Sequence, residues 1–550
     1  MGQENRTAWV VLAILGASMF VYVIDTTLMN VSISALVEDL GTTVGEVQVA
    51  ITLYTLTMAA FMLTGGKLGD IWGSKKAFRI GLVIYAIGTT ITALSPSIGF
   101  VILGWSVLEG LCSALIVPAI NTLVRANFEG SKRASAYGIL FGIAAAGAAF
   151  GPLIGGWVTT ALSWRVAFAG EAIIVVVVLL SSGLLTDAPP TVPRPKLDAV
   201  GAALSVTGLG MFVLGILQTG TYGWTHPLVV GLIFGGLAVL AVFGWWVARR
   251  ERLGLPALLH PSILRHRAIR AGLPILSTQT FAQAGLLFLI PVFAQSVLGF
   301  DAFETGLTVL PLSIGVLVTS VVTPPLGKKL YPKYIIQAGL VLLFIGGVIL
   351  ARSLADAAVG TDLAPGLLIG GIAIGLVVGQ LPNIILSGAD QDEASEASGL
   401  QGTAQNLGMA LGTAIIGTVI LSVALTSIGE RVEASAAIPD EIKVELTAIA
   451  QRPMEEADAE ALADALESVE PEVAEALVKI YDDATLAGFQ MAIVVGGVVA
   501  LFGALLALRL PKEKIASDGS VETTIKEVVR NPSIARVQLE MEDLGRGSRP

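Results

Sequence analysis

Ala8-Trp-Val-Val-Leu-Ala-Ile-Leu-Gly-Ala-Ser-Met-Phe20-Val-Tyr-Val-Ile-Asp25-Thr-Thr-Leu-Met-Asn30 is long and apolar enough to cross a bilayer, and it carries a single carboxylate, Asp25. A helical span needs about 20 predominantly apolar residues, and an ionised side chain inside one is costly, so by default it marks an ion or substrate pathway. Working outward, this stretch becomes the first of fourteen, near 8–35, 47–68, 77–95, 98–124, 136–160, 165–186, 199–219, 227–248, 270–298, 305–327, 334–353, 364–388, 397–427 and 485–509. Over 550 residues, 54% are apolar and only 14% charged, and the mean hydropathy is +0.79. A soluble domain carries roughly a quarter charged residues. The expected fold class is therefore an all-α polytopic membrane protein with fourteen transmembrane helices.

The first apolar stretch has no small-residue cleavage site before the next hydrophilic loop, so it is expected to stay in the protein. An even number of spans puts both termini on one side, and Lys and Arg choose which side. Outside the tail, the loops on the side opposite the termini hold only Arg165, Arg352, Arg431, Lys443, Arg452 and Lys479. Both termini are thus expected in the cytoplasm, with the protein in the plasma membrane. The single cysteine, Cys112, leaves no intrachain disulfide.

One hydrophilic insert, 429–485, lies between the last two spans on the outer side. It holds 16 acidic and 4 basic residues, an excess of acid larger than the net −10 of the whole chain. Helix-spaced Leu, Ile and Val predict short helices over Asp440–Gln451, Glu455–Val469 and Pro471–Asp483. The plain expectation is a solvated cap; the sharper one is an external gate or a docking surface for an extracytoplasmic partner. The polar tail 511–550 receives no function, although Val521–Val537 has the pattern of a segment lying on a membrane.

A weak internal repeat matches Leu68-Gly-Asp-Ile-Trp-Gly-Ser-Lys-Lys, after the second span, to Leu326-Gly-Lys-Lys-Leu-Tyr-Pro-Lys, after the tenth. Two six-helix halves related by an axis along the membrane normal would place it there. At this point the residues carry a resemblance. Gly66-Lys-Leu-Gly-Asp70-Ile-Trp-Gly73-Ser-Lys75-Lys76 resembles the loop between helices two and three of the major facilitator superfamily. Gly147-x-x-x-Gly151-Pro152-x-x-Gly155-Gly156 resembles its antiporter motif on helix five. Asp25-Thr-Thr-Leu-Met-Asn30 is similar to the helix-one motif of the fourteen-helix drug:proton antiporter branch. The resemblance implies an N-terminal six-helix bundle over 1–187, two additional linker helices over 188–255, and a C-terminal six-helix bundle over 256–510, followed by a cytoplasmic tail.

The resemblance also implies roles. Asp70, with Gly66, Gly73, Lys75, Lys76 and Arg79 around it, would latch the cytoplasmic gate. The small residues and Pro152 on span five would let helices approach closely and seal the halves on one side. Span four departs from the family pattern: Trp105-Ser106-Val-Leu-Glu109-Gly110 has no arginine and puts a carboxylate where the family has an amide. At ~1.5 Å per residue, Asp25 and Glu109 each lie roughly 24 Å from the cytoplasmic end of their spans. Two carboxylates at one depth lose hydration and repel each other, which favours a bound proton on the pair. A cation entering the same site would displace that proton.

The remaining intramembrane polar groups are weaker signals. Asn121, Gln279, Gln283, Gln380, Asn383, Gln401 and Gln405 are expected mainly to hydrogen-bond across helices, with cavity lining as the minority role. Tyr54, Trp105 and Phe281 offer aromatic faces to flat cations, against a plainer role in core packing. Glu171 is placed near the outer end of span six, at the interface. No nucleotide-binding loop, nucleophile elbow or metal-ligand spacing is found, so no enzyme activity, cofactor, metal or nucleic acid is expected. The expectation is a monomeric, proton-coupled antiporter that exports hydrophobic, cationic small molecules through the lipid bilayer by alternating access. The alternatives are an exporter of lipids or amphiphiles with a partner on the outer insert, and a non-transporting sensor or scaffold.

Overall fold

A computed structural model describes residues 3–187, 196–357, 359–389, 393–435, 438–439, 443 and 471–512. The predicted helices Asp440–Gln451 and Glu455–Val469, and Val521–Val537 of the tail, lie outside the described residues. Among those described, fourteen helices are long and apolar enough to cross a membrane, and no strand occurs. They are α1 (Gln3–Val31), α2 (Val44–Trp72), α3 (Ser74–Ala93), α4 (Ile98–Asn127), α5 (Gly130–Ala161), α6 (Trp164–Ser181) and α7 (Ala199–Leu217). The others are α8 (Pro227–Arg252), α9 (Arg267–Ser296), α10 (Ala302–Lys329), α11 (Pro332–Asp356), α12 (Gly360–Ser387), α13 (Ala394–Ala434) and α14 (Pro471–Leu506). Two six-helix bundles plus two inserted helices make up this all-α membrane fold.

Caps and prolines set many of the boundaries. Asp301 and Glu304 form a reciprocal capping box at the start of α10, satisfying two backbone donors that a helix start leaves open. The side chains of Thr43 and Ser163 each accept one backbone N–H at the start of α2 and α6, and Pro227 and Pro332 open α8 and α11. Span one differs from its sequence reading. The helix stops at Val31, and a separate short helix, Ile33–Leu40, continues beyond Ser32. Pro471–Asp483 is likewise no separate helix of the insert, because it is the first part of α14. Helix α13 also runs past its predicted end to Ala434. Val432, Ile438 and Val473 then pack together, and Arg431 pairs with Asp483 at 2.7 Å.

The two bundles meet along two helix pairs, α2 with α13 and α5 with α10. Glycine makes the second pair close. A Cβ on Gly156 would strike the Ala302 carbonyl, and one on Gly306 would lie 2.5 Å from the Pro152 carbonyl. Cross-bundle hydrogen bonds gather at this end, opposite the Gly66–Lys76 loop. The backbone N–H and hydroxyl of Ser34 both donate to Gln295 Oε1, at 2.8 and 2.7 Å, while Gln295 Nε2 donates to the Val31 carbonyl. The Phe303 N–H donates to Thr160 Oγ1 at 3.1 Å, and Gln48 donates to the Thr413 carbonyl at 2.9 Å. This end of the molecule is shut.

Helix α7 lies against α2 and α13 beside the seam, and α8 packs on α7. Asp198 ties the two together by capping α7 and accepting from the Trp246 indole at 3.1 Å. Only 11% of the apolar window of α8 is buried, against 67% for α2, so α8 presents most of its surface to lipid.

Gly156→Val is expected to overpack the α5–α10 contact at a cost of about 1–3 kcal/mol. Thermal unfolding of the purified protein would register this, whereas Gly138→Val on the same helix, where a Cβ meets open space, should leave the transition in place.

Candidate functional site: a buried acid cluster in the first bundle

Close helix approaches build the site. Gly104 of α4 faces Gly88 of α3, each with the other's carbonyl 2.7 Å from where a Cβ would stand, and Gly110 lies against Thr57 and the Tyr54 carbonyl of α2. Alanine at any of these positions would push the helices apart. Between Ile102 and Glu109, α4 widens into a π-helical stretch, an arrangement rare in helices and frequent at functional sites. It carries both Trp105 and Glu109.

Asp25 is fully buried and doubly held. The Tyr54 hydroxyl donates to Oδ2 at 2.8 Å, and the Trp105 indole donates to Oδ1 at 2.7 Å. The two rings stack in parallel, 4.5 Å apart with a 1° interplanar angle. Tyr54 and Trp105 are therefore not plain packing residues. Charge-assisted hydrogen bonds of this kind are shorter and roughly twice as strong as neutral ones, and they suit Asp25 to carry a negative charge without a basic neighbour.

Glu109 is also fully buried. Its Oε1 accepts a long hydrogen bond, 3.4 Å, from the Thr92 hydroxyl, and its Oε2 has no protein partner. The structure brings it to Asp25, as the depth count predicts. It also brings a third acid. Glu171 is 5% exposed, and neither of its oxygens has a partner among the described residues. Carboxylate oxygens of Asp25, Glu109 and Glu171 all lie within 4.8 Å of one another. The interfacial placement of Glu171 is thus corrected. Measured from the outer ends of their helices, the two acids are level. Since α1 ends at Val31, Asp25 lies six residues from that end, roughly 9 Å, and Glu171 lies seven residues from Trp164, roughly 10 Å.

Among the described residues, none of the three acids forms an ion pair with Lys, Arg or His. They are also the one group of acids, histidines or cysteines there close enough together to hold a cation. A hard divalent ion takes six or more oxygens, which the three carboxylates and added waters would have to supply together; a proton needs no such shell.

The other sequence candidates distribute unevenly. Gly73, with φ +91°, ends α2, and a Cβ there would stand 2.8 Å from Asp187 Oδ2. The Lys75 N–H donates to Asp187 Oδ1 at 2.9 Å, and its ammonium donates to the carbonyls of Gly183 and Leu185 at the end of α6. The gate-motif loop is therefore fastened to its own bundle through Asp187, a residue the sequence reading passed over. Gly66 is buried, Asp70 is half-buried, and Lys76 and Arg79 are exposed. On α5, Cβ atoms on Gly147, Gly151 and Gly155 would crowd Val23, Thr27 and Leu28 of α1, whereas Pro152 and Gly156 face α10.

In the second bundle the amides stay largely on their own helices. Gln279 donates to Gln283 at 2.6 Å, one turn along α9, and Asn406 donates to the Gly402 carbonyl. Gln380, at the break in α12, does reach across to the Thr323 carbonyl of α10 at 2.5 Å. Gln401 and Gln405 are half-buried and Asn383 is exposed. Asn121 lies within α4, and its carbonyl accepts from the Tyr137 hydroxyl.

Fourteen apolar helices around buried, unpaired acids define an integral, multi-pass membrane protein. The family model of the Major Facilitator Superfamily matches residues 15–413, and the chain belongs to that superfamily, a family of transporters rather than enzymes. A probable actinorhodin transporter of Streptomyces coelicolor is 29% identical over 539 residues, covering 93% of each chain. The cephamycin export protein CmcT of Amycolatopsis lactamdurans is 30% identical, over 76% of this chain and 86% of that one. Among solved structures, a bacterial homologue of the human lysosomal transporter Spinster, in an inward-facing and occupied conformation, aligns with a TM-score of 0.59 at 15% identity, covering 91% and 97% of the two chains. That likeness speaks for the fold.

Tyr54→Phe and Trp105→Phe each remove one donor from Asp25 and are expected to destabilise the protein by about 1–3 kcal/mol. Combining Tyr54→Phe with Asp25→Asn should give a coupling energy above about 0.5 kcal/mol, read from thermal or denaturant unfolding in detergent.

Proposed function

We propose that this protein is a proton-coupled antiporter that exports hydrophobic small molecules, cationic ones foremost, by alternating access. The observation that carries this reading is a set of carboxyl groups buried in a bilayer-spanning bundle with no basic partner among the described residues. Such an arrangement is expensive to keep charged and gives a scaffold nothing in return. Proton binding relieves that cost and release restores it, so each event biases which conformation the bundle prefers. The relatives named as antibiotic exporters support the efflux direction and the small-molecule cargo.

In the cycle we infer, the bundles 1–187 and 256–510 rock about the α2–α13 and α5–α10 seams. Helices α7 and α8, within 188–255, accompany them at the lipid boundary. Asp25 serves as the principal proton and cation site, Glu109 as its partner, and Asp70 with the neighbouring basic residues as the inner gate. Gly151-Pro152 and Gly155-Gly156 seal the opposite end against leak. A proton moving inward across the membrane supplies about 2.3 kcal/mol per 100 mV. Both termini face the cytoplasm of a cell whose plasma membrane holds the protein, and the acidic segment 429–485 caps the outer side.

Drug efflux from cells carrying Asp25→Asn or Glu109→Gln tests the reading. Export is expected to fall at least about tenfold for Asp25→Asn, the loss that follows when a group contributing 1.4 kcal/mol or more to the coupled step is removed. Undiminished proton-driven export by both variants, at equal protein levels in the membrane, would end the assignment.

A further inference from the structure

Glu171 has no place in the reading above, yet the hydrogen-bond inventory of the cluster gives it one. Six carboxyl oxygens meet there. Those of Asp25 are filled by a tyrosine hydroxyl and an indole N–H. Three others, Glu109 Oε2 and both oxygens of Glu171, are buried without a donor among the described residues. Buried polar atoms are almost always partnered, and a carboxylate can only accept, whereas a carboxylic acid brings its own O–H donor. Among the described residues the sixth, Glu109 Oε1, has only the long 3.4 Å contact from the Thr92 hydroxyl, whereas Asp25 has two short donors, so the donors provided suffice for one anion, on Asp25.

A second feature lies beside the acids. A cavity of ≈10 Å³, at the lower limit for one water molecule, is lined by Ser18, Tyr22, Tyr85 and Ser113 together with apolar residues that include Leu82, Val175 and Val178. Tyr85 is 4% exposed and its hydroxyl has no partner. Tyr22 and Tyr85 both lie within range of the charge of Asp25, and Tyr85 also within range of Glu109 and Glu171. Ser18 precedes Asp25 by seven residues, Ser113 follows Glu109 by four, and Val175 and Val178 follow Glu171 by four and seven. The cavity thus sits one to two helical turns from the acids, toward the end of the bundle that bears the Gly66–Lys76 loop. It lies inside the bundle rather than between the two bundles.

We propose that Glu171 is a third proton-exchanging residue, holding one proton while Glu109 holds another and Asp25 carries the charge, with the tyrosine- and serine-lined cavity as the water site through which those protons reach the loop end. The titratable groups around the cluster are Tyr22 on α1, Tyr54 on α2, Tyr85 on α3 and Cys112 on α4. This rests on the antiport reading for its purpose, though the protonation of Glu171 can be measured without it.

Infrared spectroscopy of the full-length protein in liposomes at neutral pH reads protonated carboxyl groups directly. The wild type is expected to show a buried-acid band that weakens in Glu171→Gln and persists, shifted in frequency, in Glu171→Asp. A wild type without such a band, or a band unchanged by Glu171→Gln, would overturn the proposal, and should Glu171→Gln fail to fold, a band whose frequency also stays fixed in Glu171→Asp would do so. Ethidium gradients driven by a pH difference, with the membrane potential clamped at zero, give the transport readout. Each coupled proton multiplies the gradient about tenfold per pH unit, so Glu171→Gln should lower it by about that factor. An equal gradient in Glu171→Gln and a coupled wild type would make Glu171 a passive acid. A wild type with the protonated band but no pH-driven gradient would instead count against the antiport reading and leave the protonation of Glu171 standing.

Discussion

Three carboxyl groups in a low-dielectric bundle, with oxygens within 4.8 Å of one another and no basic partner among the described residues, are the constraint around which the first bundle is organised. Charge on all three together would cost several kcal/mol per ion. The bundle answers in two ways. It aims a tyrosine and a tryptophan at one acid, and it leaves the other two facing each other. Removing the stacked Tyr54–Trp105 pair would leave Asp25 as exposed to the cost of burial as its neighbours.

Backbone proximity makes this arrangement possible. Gly88 and Gly104 let α3 and α4 touch, which brings Thr92 to Glu109, and Gly110 lets α2 approach α4, which brings Tyr54 against Trp105. Gly147, Gly151 and Gly155 do the same for α5 against α1, on the helix that bears Asp25. In a membrane, where lipid tails are as apolar as leucine, such small-residue contacts and interhelical hydrogen bonds do much of the holding together. The same glycine stripe, one residue further round at Gly156, then meets the second bundle at Ala302. Packing inside the first bundle and closure between the bundles are written on adjacent positions of one helix.

Much of this was legible in the sequence. Apolar runs of bilayer length give the fourteen spans, and equal depth along two of them gives the Asp25–Glu109 meeting. Other parts were not legible, for physical reasons. A π-helical stretch at Ile102–Glu109 has no compositional signature, so the widening of α4 there could not be derived from spacing, although the i, i+4 separation of Trp105 and Glu109 already puts them on one face. The break at Ser32 ends α1 six residues beyond Asp25 and so makes Asp25 level with Glu171, which an apolar run read continuously to residue 35 does not reveal. Aromatic residues in apolar helices usually pack, and only the position of Asp25 turns Tyr54 and Trp105 into donors. In the second bundle the expectation of amides bonding across helices holds for Gln380, whereas Gln279 finds its partner, Gln283, one turn away on its own helix.

The most direct test of the account is the proton movement evoked by substrate in proteoliposomes that hold the purified wild-type protein and an internal pH dye, across a panel of lipophilic cations, neutral drugs and lipids. The account predicts that a transported lipophilic cation drives protons the opposite way, with the signal lost when the protein is omitted. Transport of the same compounds with no accompanying proton movement would contradict it.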